Sequence, residues 1–219
     1  MATSKNDKKP WPTKEAMQQI YDLKLWGGTG IDYYSGAGSH DPKIMEPYVK
    51  EVASFLRSLE KPVEICDLGC GDFNIGSQLL PYVSKYIAVD IVPELIERNK
   101  EKYTKENLTF QCLDLAKDTL PSGNVAILRQ VLQHLSNAEI AQIVSKLKVY
   151  DHVILTEHVP KGIFKPNIDI ISGQGIRLKK KSGIDLSAAP FYMDFTSKRD
   201  LISIETDDYK GVIITSIYS

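Results

Sequence analysis

Three carboxylates recur at matching places in this 219-residue chain. Asp67 closes the run VEICDL, Asp90 ends YIAVD, and Asp114 lies near the end of LTFQCLDL. After the first comes GCGDFNIG, in which Gly69 and Gly71 stand two apart. Glycines at such a turn let the backbone pass close to a ligand and leave amides free to meet it at the start of a helix. A carboxylate at the position of Asp90 can accept hydrogen bonds from both hydroxyls of a ribose. One at Asp114 can accept from an adenine amino group. A single acid at a strand end is unremarkable. Three in register after three consecutive strands point to a nucleoside site rather than to solvated loop charge.

The spacing separates two nucleotide chemistries. A dinucleotide fold prefers G-x-G-x-x-G, with a third glycine three residues after the second. Here Asn74 holds that place and the next glycine is Gly76. Asp67, two residues before Gly69, would repel a pyrophosphate and favour a cation such as a sulfonium. A second glycine-rich stretch, WGGTGIDYYSGAGSH at 26–40, has no strand before it and no lysine after it. It is therefore not a phosphate loop.

The elements that must carry these residues follow from hydrophobic period. Apolar positions at 13–25 (Ala16, Met17, Ile20, Leu23, Leu25) and at 42–59 recur every three or four residues and predict amphipathic helices. From residue 63 strands and helices alternate. VEICDL, YIAVDI, LTFQCLDL, VAILRQVL and HVILTEHV read as strands. Helices are expected at about 75–83, over VPELIERNKEKY, and over AEIAQIVSKLKV, where Ser136 and Glu139 suit a capping box. Five strand–helix alternations imply a parallel sheet covered on both faces. LISIETDDYKGVIITSIYS then reads as a hairpin. The fold class is thus α/β: a Rossmann-like, seven-stranded, mostly parallel sheet with helices on both faces and a C-terminal antiparallel hairpin. One structural domain is expected, with a helical segment at 1–60 leading into the alternating part at 61–219.

Composition sets the outer bounds. With 42% hydrophobic and 25% charged residues the chain is an ordinary globular one. A formal net charge of −1 argues against nucleic-acid binding driven by bulk electrostatics, and the run RLKKK reads as a solvated face. Cys66, Cys70 and Cys112 fit no metal-ligand spacing and suggest reduced thiols. No apolar run is long enough for a membrane span, and the polar start MATSKNDKKPWP lacks the apolar core of a signal peptide. A cytoplasmic location is expected on these grounds.

Together EICDLGCGD, YIAVDI, CLDL and ILRQVLQHLS resemble the first to fourth motifs of the class I S-adenosylmethionine-dependent methyltransferases, over about residues 63–156. The terminal hairpin is similar to the last two strands of that family. The resemblance implies S-adenosylmethionine as cofactor and S-adenosylhomocysteine as product. It implies that Gly69 and Gly71 line the methionine part, that Asp90 with Ile91 holds the ribose, and that Asp114 with Leu115 holds adenine. It gives Asp67 the loop or the ammonium, and adds Arg129 to the cofactor site. It also implies that 1–60 folds over the strand ends as a lid. Tyr34, Ser35 and Ser39 would then lie near the cofactor, and Trp26 and Tyr33 near the acceptor. Residues 159–195 would form the acceptor-binding insertion.

Methyl transfer to a hydroxyl requires alignment and a base for the proton. The histidines proposed for that role are His158 after the fifth strand, His134 after the fourth, and His40 on the lid; His152 opens a strand at the far rim. Glu157, Asp169, Asp185 and Asp194 stand at no diagnostic metal spacing, so no metal is expected. Acceptor binding is instead assigned to Glu157, Asp169, Arg177 and Asp194, side chains suited to a hydroxyl-rich molecule. The pattern WGG…SGAGS, VLQHLSN and NIDI…G…R…DL…PF also resembles a small group of sugar methyltransferases. These accompany glycan-building enzymes, and some are fused to glycosyltransferases, as in large DNA viruses of algae (chloroviruses). That resemblance implies a sugar acceptor such as rhamnose, and a working association with glycosyltransferases; the alternatives are a methyltransferase acting on RNA or protein, or a non-catalytic S-adenosylmethionine-binding subunit. Where the group commonly reads RDVLQHL this chain has Gln130, which removes that position as a base.

Overall fold

Alternation along the strands decides which face each side chain serves. The computed structural model describes residues 11–30, 32–205 and 210–219. The polar tail at 1–10, Ile31 of the glycine-rich stretch and hairpin residues 206–209 lie outside these. Five parallel strands form the sheet: β1 (Glu64–Leu68), β2 (Lys85–Asp90), β3 (Leu108–Cys112), β4 (Val125–Arg129) and β5 (His152–Val159). They are joined by β6 (Lys198–Ile204) and β7 (Val212–Tyr218), in the order β3-β2-β1-β4-β5-β7-β6. β7 runs antiparallel to both of its neighbours. The order reverses between β1 and β4, and a ligand crevice is expected outside the carboxyl ends at that point.

Two apolar layers follow from the period of two. Cys66, Leu68, Ile87, Val89, Ala126, Leu128, Val153 and Leu155 face one layer, while Ile65, Tyr86, Ala88, Val125, Ile127 and Ile154 face the other. The first is covered by α6 (Asn137–Leu147) through Ile140, Ile143, Val144 and Leu147, and by α1 (Thr13–Asp22) through Met17 and Ile20. The second is covered by α3 (Pro42–Arg57), which contributes Ile44, Tyr48, Val52 and Leu56 at helical spacing. Each fully buried aliphatic side chain contributes roughly 1.5–3 kcal/mol. Asp67 shares the parity of Ile65, and Arg129 that of Ile127, so both turn toward α3.

Three elements differ in extent from the sequence expectation, each for a local reason. The helix expected at 75–83 is α4 (Gly76–Leu79) followed by a 3-10 turn at Leu80–Tyr82, because Pro81 has no N–H to continue the α-helical ladder. β4 stops at Arg129 because Gln130 adopts φ 55° and turns the chain. β3 ends at Cys112, leaving Asp114 in the loop beyond the ladder. The remaining long helix, α5 (Pro93–Lys102), starts with proline at its first position, where no N–H is needed. A short helix, α2 (Ala37–His40), precedes α3, whose first amides are capped by Asp41.

Candidate functional site

A cavity of about 440 Å³ opens at the carboxyl ends of β1, β2 and β4, and Asp67, Asp90, Asp114, Gly69, Gly71 and Arg129 all line it. Gly69 and Gly71 have φ of 98° and 56°, and a Cβ on them would overlap Val131 and Ser35 respectively. The loop therefore requires glycine on both counts. Asp90 anchors this loop: its carboxylate accepts from the amides of Gly71 at 3.0 Å and Val92 at 3.1 Å. Burial raises its pKa against those two donors. Asp67 is buried beside it and accepts from the Tyr86 hydroxyl at 2.9 Å; burial pushes its pKa up to about 7. Asp114 sits half-open at the far end, accepting from the amide of Ala116 at 3.0 Å and from Lys117 Nζ at 2.8 Å. Ile91 and Leu115 supply apolar walls between the two outer acids.

The N-terminal segment crosses this opening and is fastened to it. Ser35 N donates to Asp72 Oδ2 at 2.9 Å, while Asp72 N donates to Ser35 Oγ at 2.8 Å. The same carboxylate meets His40 Nε2 at 2.5 Å, and Tyr34 stacks on that imidazole with ring centroids 4.4 Å apart. Asn74 Nδ2 donates to the Ser39 carbonyl at 2.7 Å, and Arg129 donates to the Gly38 carbonyl. Arg98 holds Asp32 through two hydrogen bonds of 2.6 and 2.7 Å. Tyr21 of α1 completes the closure, its hydroxyl 3.1 Å from Ser35 Oγ. Trp26 packs on Tyr21 and, at 5.3 Å between centroids, on His134.

Beside the lid the cavity wall continues in the 3-10 turn Leu132–His134, held by two buried side chains. From below, Glu157 accepts from the amides of Leu132 and Gln133, each at 3.0 Å; burial pushes this carboxyl up to about 8. From the side, Arg177 donates to the carbonyls of Leu132 at 2.9 Å and Leu135 at 2.7 Å and to Asn137 Oδ1 at 2.7 Å. His134 lines the cavity on this turn. Its Nδ1 lies 3.1 Å from the carbonyl of Gly173, which can only accept, so Nδ1 carries the proton and Nε2 the lone pair. Gln133 Nε2 lies 3.3 Å from that lone pair. Burial pushes the imidazole pKa down to about 4.

Other residues singled out from sequence lie elsewhere. Arg177 is fully buried and Glu157 nearly so, and neither lines the cavity. Both act on the turn that carries His134. Asp169 accepts from the Asn137 amide at 2.7 Å at the start of α6, and Asp194 is exposed. His158 turns toward the hairpin, close enough that a Cβ on Gly211 would lie 3.1 Å from its Nε2. Its pKa is lowered by burial. His40, Tyr33 and Tyr34 belong to the lid and do not line the cavity, whereas Trp26 and Ser39 do.

Sequence reasoning passed over Asp72, Tyr21 and Tyr48, and read Glu139 only as a capping residue. Glu139 lines the cavity too, accepting from Thr13 and Ser172 as well as from Ser136. The available signal for Asp72 was its place directly after Gly71. Among the described residues no group of three or more His, Cys, Asp or Glu is placed to hold a metal, and no helix is long and apolar enough to cross a membrane.

Comparison with known proteins accords with this geometry. Residues 65–149 match the methyltransferase domain family. The fold resembles the N-methyltransferase NodS from Bradyrhizobium japonicum in complex with S-adenosyl-L-homocysteine, at 10% identity over 93% of this chain and 97% of that one, with a TM-score of 0.66. It also resembles the magnesium protoporphyrin IX methyltransferase of Synechocystis with bound S-adenosylmethionine, at 18% identity over 98% and 100% of the two chains, with a TM-score of 0.62. At these identities the likeness is one of fold. A protein of Chlamydia caviae described as an uncharacterized RNA methyltransferase is 30% identical over 105 residues, which is 46% of this chain and 26% of that protein. The chain thus spans about a quarter of the length of that relative. Residues 65–149 thus match a methyltransferase domain, within a fold like that of S-adenosylmethionine-dependent methyltransferases.

Proposed function

We propose that this domain transfers the methyl group of S-adenosylmethionine to a hydroxyl of a sugar or similar polyhydroxylated small molecule, with His134 as the general base. The observation that carries the reading is the state of His134. It is a neutral imidazole in the cavity wall, with Nδ1 committed to the Gly173 carbonyl and the Nε2 lone pair beside Gln133 Nε2 at 3.3 Å, a contact that the acceptor hydroxyl would replace. Among the three histidines considered as base, it is the one that lines the cavity. The company it keeps suits an acceptor rich in hydroxyls. Trp26 offers an apolar ring, and Gln130, Gln133 and Gln174 offer side-chain amides that donate and accept. Residues 1–60 serve as the helical lid segment, 61–219 as the catalytic part, and the stretch at 159–195 as an acceptor-side insertion.

Groups that lack partners in the protein itself suit the cofactor. Tyr48 Oη and Arg129 Nε are buried, without hydrogen-bond partners, and belong to residues lining the cavity. Gly69 and Gly71 leave room where any side chain would collide. When bound, the cofactor supplies a methyl group on a positively charged sulfur, ready for in-line displacement. Asp90 would accept from the ribose hydroxyls with the lone pairs not used by Gly71 and Val92. Asp114 would meet the adenine amino group, between Ile91 and Leu115. Asp67 would face the ammonium, whose charge favours the ionised carboxylate. The lid, fastened through Ser35, Asp72 and His40, excludes water from the reacting centre. His134 Nε2 would take the proton that the acceptor hydroxyl gives up on methylation. Glu157 and Arg177 keep the turn beneath it fixed.

RNA is the acceptor class suggested by the name of the Chlamydia relative. The formal net charge of −1 provides no general attraction for a polyanion, which favours the sugar reading. The test is incubation of the full chain with methyl-labelled S-adenosylmethionine and separate pools of sugars and oligosaccharides, RNA, and proteins. Label in the sugar pool is expected. Label confined to RNA or protein would overturn the acceptor reading while leaving the methyltransferase domain intact.

A further inference from the structure

At the α3 end of the cavity a buried cation forms no ion pair among the described residues. Arg129 ends β4 and turns toward α3, its guanidinium carbon 4.7 Å from the centre of the Tyr48 ring. Its Nη1 donates to Ser39 Oγ at 3.2 Å and to Gln130 Oε1 at 3.3 Å, and its Nη2 to the Gly38 carbonyl. All three acceptors are neutral. Among the described residues no carboxylate lies within ion-pair distance of it, although the side chain is only 9% exposed. The Nε–H has no acceptor.

Tyr48 lies against it, 1% exposed, with an unpartnered hydroxyl. Thr156 is a hydroxyl neighbour of Tyr48, but its Oγ1 is 2.9 Å from that of Thr215. Two donors, one of them charged, are thus left without acceptors at a place where a buried donor is costly to leave unmade. Asp67 lines the same end of the cavity, with one oxygen on Tyr86. Arg129 and the Asp67 carboxyl line the same cavity and together match the head of an α-amino acid: a carboxylate for Arg129 and Tyr48, an ammonium for Asp67.

We infer that Arg129 and Tyr48 form an anion subsite for the α-carboxylate of S-adenosylmethionine and S-adenosylhomocysteine, and that this subsite lets the pocket reject adenosine thioethers lacking that group. The inference rests on the cofactor assignment and deepens it. The two residues come from β4 and α3, and the guanidinium also holds the lid through Gly38 and Ser39. Occupying the subsite therefore joins carboxylate recognition to lid closure. Tyr48 contributes only its hydroxyl to the anion. Arg129 contributes charge and Nε–H.

The experiment is calorimetric binding to the full chain of two ligands that differ by one group. These are S-adenosylhomocysteine and its decarboxylated analogue, the adenosyl thioether of 3-aminopropanethiol, which keeps the ammonium. The unaltered protein should bind the first about 100-fold more tightly than the second, the scale of hydrogen bonds to a charged group. Because Arg129→Gln also loosens the lid and can fail to fold, Tyr48→Phe is the decisive variant. It keeps the ring under the guanidinium and removes the hydroxyl. It should weaken S-adenosylhomocysteine about 10-fold and leave the analogue unchanged, so the preference shrinks. Equal affinity of the unaltered protein for both ligands, or an equal loss for both in Tyr48→Phe, overturns the subsite while the cofactor assignment stands. Failure of the unaltered protein to bind S-adenosylhomocysteine at all removes the assignment beneath it.

Discussion

The two walls of the cavity are built by different means. One consists of strand ends: Asp67, Asp90 and Arg129 are the last or near-last residues of ladders whose register is fixed by continuous pairing. The other consists of the lid and the turn Leu132–His134, which belong to no ladder and are held by side chains. A carboxylate on the first wall is placed by the sheet and costs nothing further to orient. A group on the second wall, such as His134, is placed only because Glu157, Arg177 and the Gly173 carbonyl agree on where it should be. The sheet wall is thus suited to a constant ligand. The stitched wall is where an acceptor preference can change without disturbing the fold.

Substitutions on each wall should separate the two roles. The largest effect is expected from His134→Ala. It should lower turnover about 1,000-fold, the middle of the range for losing a general base, while S-adenosylhomocysteine affinity stays within about 3-fold. In the unaltered protein the rate should stay level as pH falls from 7 to about 5. It should decline as pH approaches 4, because the lowered pKa keeps the imidazole neutral until then. A fall centred near pH 6.5 would move the base elsewhere.

Next comes Asp90→Ala on the sheet wall. Calorimetry should show S-adenosylhomocysteine affinity reduced about 100-fold, since charge-assisted bonds to the ribose are lost along with the anchor for Gly71. Retained affinity would mean that the nucleoside lies outside the strand ends, and the contrast between the walls would collapse. The smallest change belongs to His40→Ala, which removes one of several fasteners of the lid. Stopped-flow release of S-adenosylhomocysteine should quicken about 3- to 10-fold, with little change in the chemical step.

How much of this was legible beforehand divides along the same line. Alternation of apolar residues with breaks at Gly69, Pro93 and Ser136 located the strands and most helices, because local period reports burial directly. The acids at 67, 90 and 114 were found by the same route, as the residues that end apolar runs. Arg177 and Glu157 were read as acceptor contacts. Their partners are backbone groups of a turn more than twenty residues away, and no local pattern records such a bond. Asp72 escaped notice because its partners, Ser35 and His40, lie more than thirty residues upstream. The break of β4 at Gln130 was hidden as well, since a glutamine gives no hint of a positive φ.

The lid's place in the chain has a consequence for how the molecule is assembled. Residues 13–40 leave the ribosome before the loop at 69–74, the turn at 132–134 and Gln174 have been made, yet these are the surfaces on which they rest. Met17, Ile20 and Trp26 must therefore wait with their apolar faces uncovered while the sheet forms behind them. Within the described residues, the stretch that precedes the sheet is seated only once the sheet is made.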